Sequence, residues 1–340
     1  MQQIDTKISA PPLGRPRKLS SLIAVIALVA LLAVVPIILP PAQEFLAQTV
    51  LVYALFAIAT NFLIGFSGLL SFGQAVFFGF GAYMAAILWT HGVPFWLGFV
   101  VSPLAAALVA GLVAMVSLRT SRLYFALLTL GFSQLAYEVA SGLYHLTGGE
   151  TGIPGISVPN AISGVVSNYE FILVFIVLAV GALYFVRRSS FGMALSAIRE
   201  NPTRAEAVGI HVYWHHVVAY VIAGLICGLA GVLYVVYQQQ VDPVLLNWTE
   251  SGEPVLMAVL GGMGLYLGPA IGSFIYIALE QWVGALTPQW PLLVGLVVLV
   301  LVIVYPRGFG GGIVDLMKFV KRRRRGIPED EAMRTRRLSE

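Results

Sequence analysis

The ionisable side chains inside long apolar segments are the first candidates for chemistry in this sequence. Two carboxylates meet that description, Glu138 and Glu280. Gln134 precedes Glu138 by one helical turn and Tyr137 is adjacent, so Glu138 belongs to a polar group on one helix face. A carboxylate in that setting is suited to steering the ammonium group of an amino acid. The alternative is a structural, hydrogen-bonded role, because both acids lie nearer the outer ends of their segments, where burial costs less.

Catalytic and metal-binding patterns are missing from the sequence. His211, His215 and His216 lie where the chain enters an apolar segment, and no cysteine or carboxylate completes a ligand set, so they are interpreted as interfacial histidines. No Gly-Lys dipeptide occurs, which excludes a phosphate-binding loop of the Walker type. Any ATP must therefore bind to another chain. The single cysteine, Cys227, excludes an intramolecular disulfide.

Composition identifies the surroundings of these residues. Of 340 residues, 59% are apolar and 11% are charged, against roughly 25% charged in soluble proteins. Twenty of the charged residues lie at the two ends of the chain, which leaves 16 for the 288 residues between them. Such a segment cannot cover a surface that faces water. The sequence therefore predicts an all-α polytopic membrane protein and excludes a soluble enzyme, a nucleic-acid binder and a disordered scaffold.

Ten apolar segments are long enough, or nearly so, to cross a bilayer as helices, which needs about 20 residues. Some of them, the eighth above all, are short or interrupted. The predicted spans are Ser20–Leu39, Leu46–Phe66, Leu70–Trp89, Phe95–Leu118, Leu123–Leu146, Asn168–Val186, His215–Tyr237, Pro254–Gly262, Gly268–Ala285 and Trp290–Tyr305.

The basic residues predict the orientation, since cytoplasmic loops hold the excess of Lys and Arg. With ten spans and both termini inside, all 20 Lys and Arg fall on the cytoplasmic side, and the outer loops hold acidic residues but no Lys or Arg. The expected organisation is a cytoplasmic arm (1–19), a transmembrane domain (20–305) and a basic cytoplasmic tail (306–340). The tail is interpreted as a solvated anchor that contacts anionic membrane lipid.

Two glycine clusters interrupt the apolar pattern, Ser67–Gln74 and Gly261–Pro269. Neither carries a charge that would hold it at a surface, so both are predicted to be breaks in membrane helices. Such backbone is tolerated at membrane depth only where protein buries it or where it lines an aqueous path. Transporters build their substrate sites from paired breaks of this kind. Ser71 and Gln74 therefore join Gln134 and Glu138 as candidates for the pathway.

The longest cytoplasmic loop, residues 190–210, carries the signals of two short helices. Ser190 is predicted to cap the first, Asn201 followed by Pro202 to cap the second, and Gly209 to close it. One face is apolar and the other is charged; the apolar residues are Phe191, Leu195 and Ile198, and the exposed ones Arg199, Glu200 and Arg204. A loop that merely joined two spans would need no such order. It is interpreted as a handle for a partner protein.

These residues also carry a family resemblance. Phe191 to Gly209 resembles the coupling loop of ABC importer permeases, with Glu206-Ala207 and Gly209 matching its Glu-Ala-Ala…Gly pattern. Over residues 45–312 the chain resembles the LivM-type permeases of branched-chain amino acid ABC transporters. The motifs that carry this resemblance, in order, are Gly68–Gln74, Gly79–Tyr83, Thr147–Ile153, Ala197–Asn201, Gly261–Gly264, Gly268-Pro269 and Tyr305–Gly308.

The resemblance implies a multi-pass subunit of the bacterial inner membrane that forms the path for branched-chain amino acids or similar small amino acids and amides. It implies a second homologous permease, two ABC ATPases and a soluble binding protein outside; nucleic acid has no role. This chain would hold no cofactor, ATP and Mg²⁺ being on the ATPases. The residues expected to couple are Arg199, Glu200, Arg204, Glu206 and Gly209. Those expected along the pathway are Ser71, Gln74, Gln134, Glu138, Thr147, Gly148 and Gly149.

Three observations leave alternatives open. Glu150-Thr151 stands where such permeases often have Ala-Asp, and similar permeases move urea or short amides, so the family is firmer than the solute. An ion-coupled secondary transporter would need intramembrane carboxylates to bind its driving ion, and here only two off-centre glutamates are available. An intramembrane enzyme would need His, Ser and carboxylate brought together by folding.

Overall fold

The computed structural model describes residues 29–36, 40–287, 289–304 and 308. The fold is all-α. Its helices are α1 (29–36), α2 (Pro41–Asn61), α3 (Gln74–Thr90), α4 (Phe95–Ser117), α5 (Arg122–Gly142), α6 (Tyr144–Thr147), α7 (Val165–Arg188), α8 (Ser190–Glu200), α9 (Pro202–Ala207), α10 (Val212–Gln238), α11 (Trp248–Gly261), α12 (Gly268–Gly284) and α13 (Trp290–Val304). A π-helical turn, Phe62–Ser67, extends α2.

Five helical segments in the described ranges are long and apolar enough to cross a membrane, which makes the chain a multi-pass membrane protein. They are Gln43–Ser67, Phe95–Ser117, Leu123–Gly142, Val165–Arg188 and Val212–Gln238. Helices α3 and α13 are apolar but shorter, and α11 has 14 residues. At about 1.5 Å per residue, α11 spans only about 21 Å. The N-terminal arm, most of the first predicted span and nearly all of the basic tail lie outside the described residues.

Small residues bring the central helices α3, α4 and α10 together. A Cβ atom on Gly224 would overlap the methyl group of Ala110, and one on Gly81 would overlap the backbone of Gly228. Membrane helices approach this closely only where side chains are absent. Gly224 and Gly228, one turn apart on α10, both lie at such close contacts. Helix α10 lies at the centre of the bundle, and 72% of its most apolar 18-residue stretch is buried.

The connections before and after α10 lie at opposite ends of the bundle, because α10, with 27 residues, runs between them. Helices α8 and α9 precede α10, at what we call the loop face. The segments 143–164 and 239–247 lie at the opposite end. They are joined by an antiparallel bridge in which Ile153 and Val241 exchange backbone hydrogen bonds of 2.8 and 3.0 Å.

The eighth predicted span was placed wrongly. Helix α11 begins at Trp248 rather than at Pro254, because the Asn247 side chain accepts a hydrogen bond from the Thr249 amide and caps the helix. Pro254 lies inside the helix, where its missing N–H leaves the carbonyl of Glu250 without its usual donor. Glu250 and Glu253, expected in an outer loop, are therefore helical residues.

Candidate functional site

The first predicted break is present and has two parts. Helix α2 loosens into the π-helical turn Phe62–Ser67, and residues 68–73 are then non-helical until α3 starts at Gln74. Gly68 ends the turn with φ +73°, a left-handed conformation that glycine adopts without strain. π-Helical turns are rare in proteins, and those that do occur are often found at functional sites. The break exposes backbone groups that need partners inside the protein.

Side chains from three other helices supply those partners. The Ser71 and Tyr220 hydroxyls lie 2.7 Å apart, and the Thr129 hydroxyl accepts the Phe72 amide at 3.1 Å. Ser133 donates to the Phe72 carbonyl at 3.2 Å, and Ser251 accepts the Ala75 amide at 2.9 Å. The Ser133 and Ser251 oxygens are themselves 3.3 Å apart. All of these side chains are buried.

Gln74, a predicted pathway residue, lies at the first turn of α3 and is completely buried. Its Oε1 atom accepts a weak hydrogen bond from the Cys227 thiol, 3.4 Å away. Its Nε2 atom has no hydrogen-bond partner among the described residues. A buried amide group without a partner costs about 1–3 kcal/mol, so Nε2 is a donor available to a water molecule or a solute.

The second predicted break, residues 262–267, joins α11 to α12. A Cβ atom on Gly261 would overlap the Gly268 carbonyl, and one on Gly272 would overlap the Met257 carbonyl, so the two helices leave this turn in close contact. Gly262 and Gly264 adopt positive φ, +103° and +86°. The two breaks meet at Asn61, whose Nδ2 donates to the Leu265 carbonyl at 3.0 Å.

The loop between α7 and α10 folds as two short helices, as predicted. Ser189, not Ser190, caps α8, because its Oγ faces the Gly192 amide at 3.5 Å. Asn201 caps α9 by accepting the Arg204 amide at 3.0 Å. The amides of Gly209 and Ile210 bond back to Glu206 and Ala205, a Schellman ending with Gly209 at φ +89°.

The two faces of the loop are divided as expected. Leu195 and Ile198 are fully buried, and Phe191 is half-buried with its ring stacked 5.6 Å from that of His215. The charged residues face outward together with exposed apolar side chains. The exposed residues on α8, α9 and the start of α10 include Met193, Arg199, Glu200, Arg204, Glu206, Val208, Gly209 and Trp214.

The predicted polar pair on α5 forms. Gln134 Nε2 donates to Glu138 Oε1 at 2.8 Å on an exposed helix face. Only 28% of the most apolar 18-residue stretch of α5 is buried, the lowest share among the five long segments. Gly131 and Gly142 lie on the same helix with open space around them. This face therefore carries a carboxylate on a membrane-spanning helix without cover from the part of the chain that the structure describes.

Thr147, Gly148 and Gly149 lie at the opposite end from the loop face. The buried Thr147 hydroxyl donates to the carbonyls of Ala140 and Leu143, at 2.5 and 2.8 Å, and so closes the end of α5. Gly148 and Gly149 both have positive φ, which the tight turn requires. The segment is held in shape by its own backbone and does not contact Ser71 or Gln74 in any hydrogen bond of the described structure.

Carboxylates gather near the start of α11. Glu250 and Glu253 lie on α11, Glu280 lies on the neighbouring α12, and Glu250 accepts a hydrogen bond from Tyr53 at 3.4 Å. Asp242 caps the following turn through the Val244 amide at 3.0 Å. Burial raises the pKa of Asp242, and its backbone hydrogen bonds oppose that shift. In the described residues no three His, Cys, Asp or Glu side chains form a metal-ligand set.

Comparison with known proteins decides the family. The sequence model of one protein family, the branched-chain amino acid transport system permease component, matches residues 43–305, which is most of the chain. The chain belongs to this family. The prediction of a transport subunit rather than an enzyme is thereby confirmed, and membership favours an ABC permease over the ion-coupled transporter.

The permease is similar to several named proteins. It is 24% identical over 291 residues to the high-affinity branched-chain amino acid transport system permease protein LivM of Escherichia coli (strain K12), covering 77% of this chain and 68% of LivM. It is 24% identical over 190 residues to the probable LivM of Methanocaldococcus jannaschii, 54% of each chain. It is 29% identical over 144 residues to the fructose import permease protein FrcC of Rhizobium meliloti, 39% of this chain and 40% of FrcC. No solved structure matches the permease.

Sequence reasoning missed the residues that hold the first break. Thr129, Ser133 and Tyr220 are polar residues within mostly apolar helices, Ser251 lies in the polar first turns of α11, and each bonds to residues 71–75. Their signal was the cost of burying a hydroxyl in a membrane helix, which demands a partner. The spacing of Thr129 and Ser133, one turn apart, placed both on one face of α5. What the sequence lacked was the partner, which is brought close only by folding.

Proposed function

We propose that the permease forms, with a second homologous permease, the translocation path of an ABC importer in the bacterial inner membrane. The solute is a branched-chain amino acid or a similar small amino acid or amide. Ten spans with both termini in the cytoplasm place the loop face inside, where it meets the ATPases. The placement of all 20 basic residues on one side supports this topology.

The exposed face of α5 supports the position of the path. A carboxylate facing hydrocarbon is unfavourable by about 3 kcal/mol at the centre of a membrane helix and by less near its ends, so Glu138, one turn from the end of α5, is still stabilised by water or protein beside it. Gly131 offers a surface on which another helix packs closely, as small residues do in membranes. We therefore assign this face to the contact with the second permease. The solute crosses beside it, where the Gln134–Glu138 pair meets an ammonium group.

The other pathway candidates divide by position. Gln74 Nε2, the buried donor without a partner, is offered to the solute where α3 starts. Ser71 is engaged with Tyr220 and acts by holding the break in place. Thr147, Gly148 and Gly149 form the outer rim, where a soluble binding protein delivers its cargo. Because the binding protein selects the solute, the path needs only weak affinity.

The charged and apolar surface of α8 and α9 supports the contact with the ATPases. Val208 is 76% exposed and Met193 65% exposed, beside Glu200, Arg204 and Glu206. Apolar side chains within a charged rim are typical of protein interfaces. ATP and Mg²⁺ bind on the ATPases, and their closure displaces the loop and shifts the permease between outward- and inward-facing states. The ordered loop is the observation that carries the proposal.

Reconstitution tests the proposal. The complete complex in proteoliposomes, with ATP inside and binding protein outside, is expected to accumulate a branched-chain amino acid, and vanadate is expected to stop it. Glu206→Arg should reduce co-purification of the ATPases at least 10-fold, while Ser163→Arg, on the opposite end, should not. Transport driven by an ion gradient without ATP would contradict the proposal.

Charge on α5 is tested separately. Glu138→Gln keeps the size of the side chain and one oxygen that can accept from Gln134, and removes the charge. Uptake of a zwitterionic amino acid should fall about 10-fold, while uptake of a neutral amide should change less than 2-fold. A fall of equal size for both solutes would show that Glu138 supports the structure and does not meet an ammonium group.

A further inference from the structure

Arg199 reaches from the coupling loop into the first break. Its guanidinium donates a hydrogen bond to the Gly65 carbonyl inside the π-helical turn. Its aliphatic stem lies against Gly68, where an added Cβ atom would be 3.2 Å from Arg199 Cγ. Arg199 therefore contacts Gly65 within the π-helical turn and Gly68 at its end, although it lies on the face exposed to a partner.

Arg187, at the last turn of α7, contacts both breaks at once. Its guanidinium carbon lies 4.4 Å from the centre of the Phe66 ring and 5.6 Å from the centre of the Tyr266 ring. Phe66 belongs to the first break and Tyr266 to the second. The Tyr266 hydroxyl in turn donates to the Val180 carbonyl in α7. One cation thus lies between an aromatic ring from each break, within the range of cation–π attraction.

Asn61 joins the two breaks directly. It is completely buried, and its amide uses both ends: Nδ2 donates to the Leu265 carbonyl at 3.0 Å, and Oδ1 accepts the Gly264 amide at 3.4 Å. An amide that bonds to two backbone groups fixes both the distance and the orientation of the segment it contacts. The second break therefore cannot move away from α2 without losing both bonds.

We infer that Arg199, Arg187 and Asn61 are positioning residues that tie the coupling loop to both helix breaks, so that the breaks move as one body when the loop is displaced. This inference rests on the proposed function for the source of the displacement. Packed and hydrogen-bonded elements shift between discrete arrangements, so a connected set of contacts transmits a shift that a flexible linker would absorb. The breaks are the places where α2–α3 and α11–α12 can bend.

The ratio of ATP hydrolysed to solute transported tests the connection. In the reconstituted complex, with the bound ATPases counted by co-purification, Arg199→Ala is expected to raise that ratio at least 10-fold, and Arg199→Lys should restore part of the transport. Arg188→Ala is the matched control, because the Arg188 guanidinium packs on the Tyr184 ring of its own helix, 4.6 Å away, and in the described structure forms no hydrogen bond or ring contact with either break. Unchanged stoichiometry in Arg199→Ala would overturn the inference.

Hydrogen exchange gives a readout that does not depend on transport. In the purified chain in nanodiscs, Arg199→Ala should increase amide exchange at least 5-fold in both 62–73 and 262–267, whereas Arg188→Ala should change neither. Faster exchange in 62–73 alone would show that the breaks respond independently and would overturn the inference. If the wild-type complex showed no ATP-driven transport, the proposed function would be wrong, and hydrogen exchange in the purified chain would still test whether the two breaks are connected.

Discussion

The two helix breaks solve the same problem with different chemistry. In the first, residues 62–73 with the start of α3, hydroxyl groups from α5 and α11 bond to the backbone and the Tyr220 hydroxyl of α10 bonds to that of Ser71. In the second, residues 262–267, glycines let α11 and α12 approach so closely that side chains have no room, and one amide, that of Asn61, ties the turn to α2. A substitution can remove one hydrogen bond and leave the others in place, whereas a methyl group added at a close backbone contact forces the two helices apart. The first break should therefore respond gradually to substitution and the second abruptly.

The largest effect is expected in the second break. In Gly272→Ala the added methyl group overlaps the Met257 carbonyl, which is backbone and cannot swing aside. Overpacking of this kind should destabilise the chain by ~3 kcal/mol, which thermal unfolding in detergent would measure. Gly252→Ala in α11 is the control, because no atom lies within 4 Å of the added methyl group. Equal stability of the two variants would mean that the helices separate easily.

An intermediate effect is expected at Ser251 in the first break. Ser251→Ala removes the acceptor of the Ala75 amide and leaves that amide buried, which should lower the free energy of unfolding by about 2 kcal/mol. The exposed Ser163→Ala serves as the control and should change stability by less than about 0.5 kcal/mol. A loss as large as that of Gly272→Ala would remove the contrast between the breaks.

The smallest effect is expected at Tyr220. Tyr220→Phe removes one partner of the Ser71 hydroxyl, which still accepts the Gly73 amide at 3.2 Å. The expected loss is about 1 kcal/mol, again by thermal unfolding. Tyr124→Phe removes an exposed hydroxyl and should have no measurable effect. If Tyr220→Phe were as neutral as that control, the Ser71 contact would contribute nothing to the break.

Local signals in the sequence predicted the helices and the breaks well. Gly68 and Gly262 mark where helical segments end, and Asn201 with Pro202 marks the start of α9, because caps and positive φ depend on neighbouring residues only. Local signals failed at α11, where Pro254 suggested a start. The true cap, Asn247, lies seven residues earlier in a polar stretch that looked like a loop.

The candidate site was predicted only in part, for a physical reason. Gln134 and Glu138 are one turn apart on one helix, so their hydrogen bond followed from the sequence. Asn61 and Leu265 are joined across 204 residues, and Arg199 and Gly65 across 134. Such pairs are set by how helices pack, and neither the type nor the spacing of the residues records the partner.

The position of Cys227 has a practical consequence. It is the only cysteine in the chain and is completely shielded among α10, α3 and Gln74. A thiol-specific reagent added to the folded protein should therefore label only a cysteine introduced by mutation. Fluorophores or spin labels placed at surface positions of the two breaks can report their movements without first replacing the native residue.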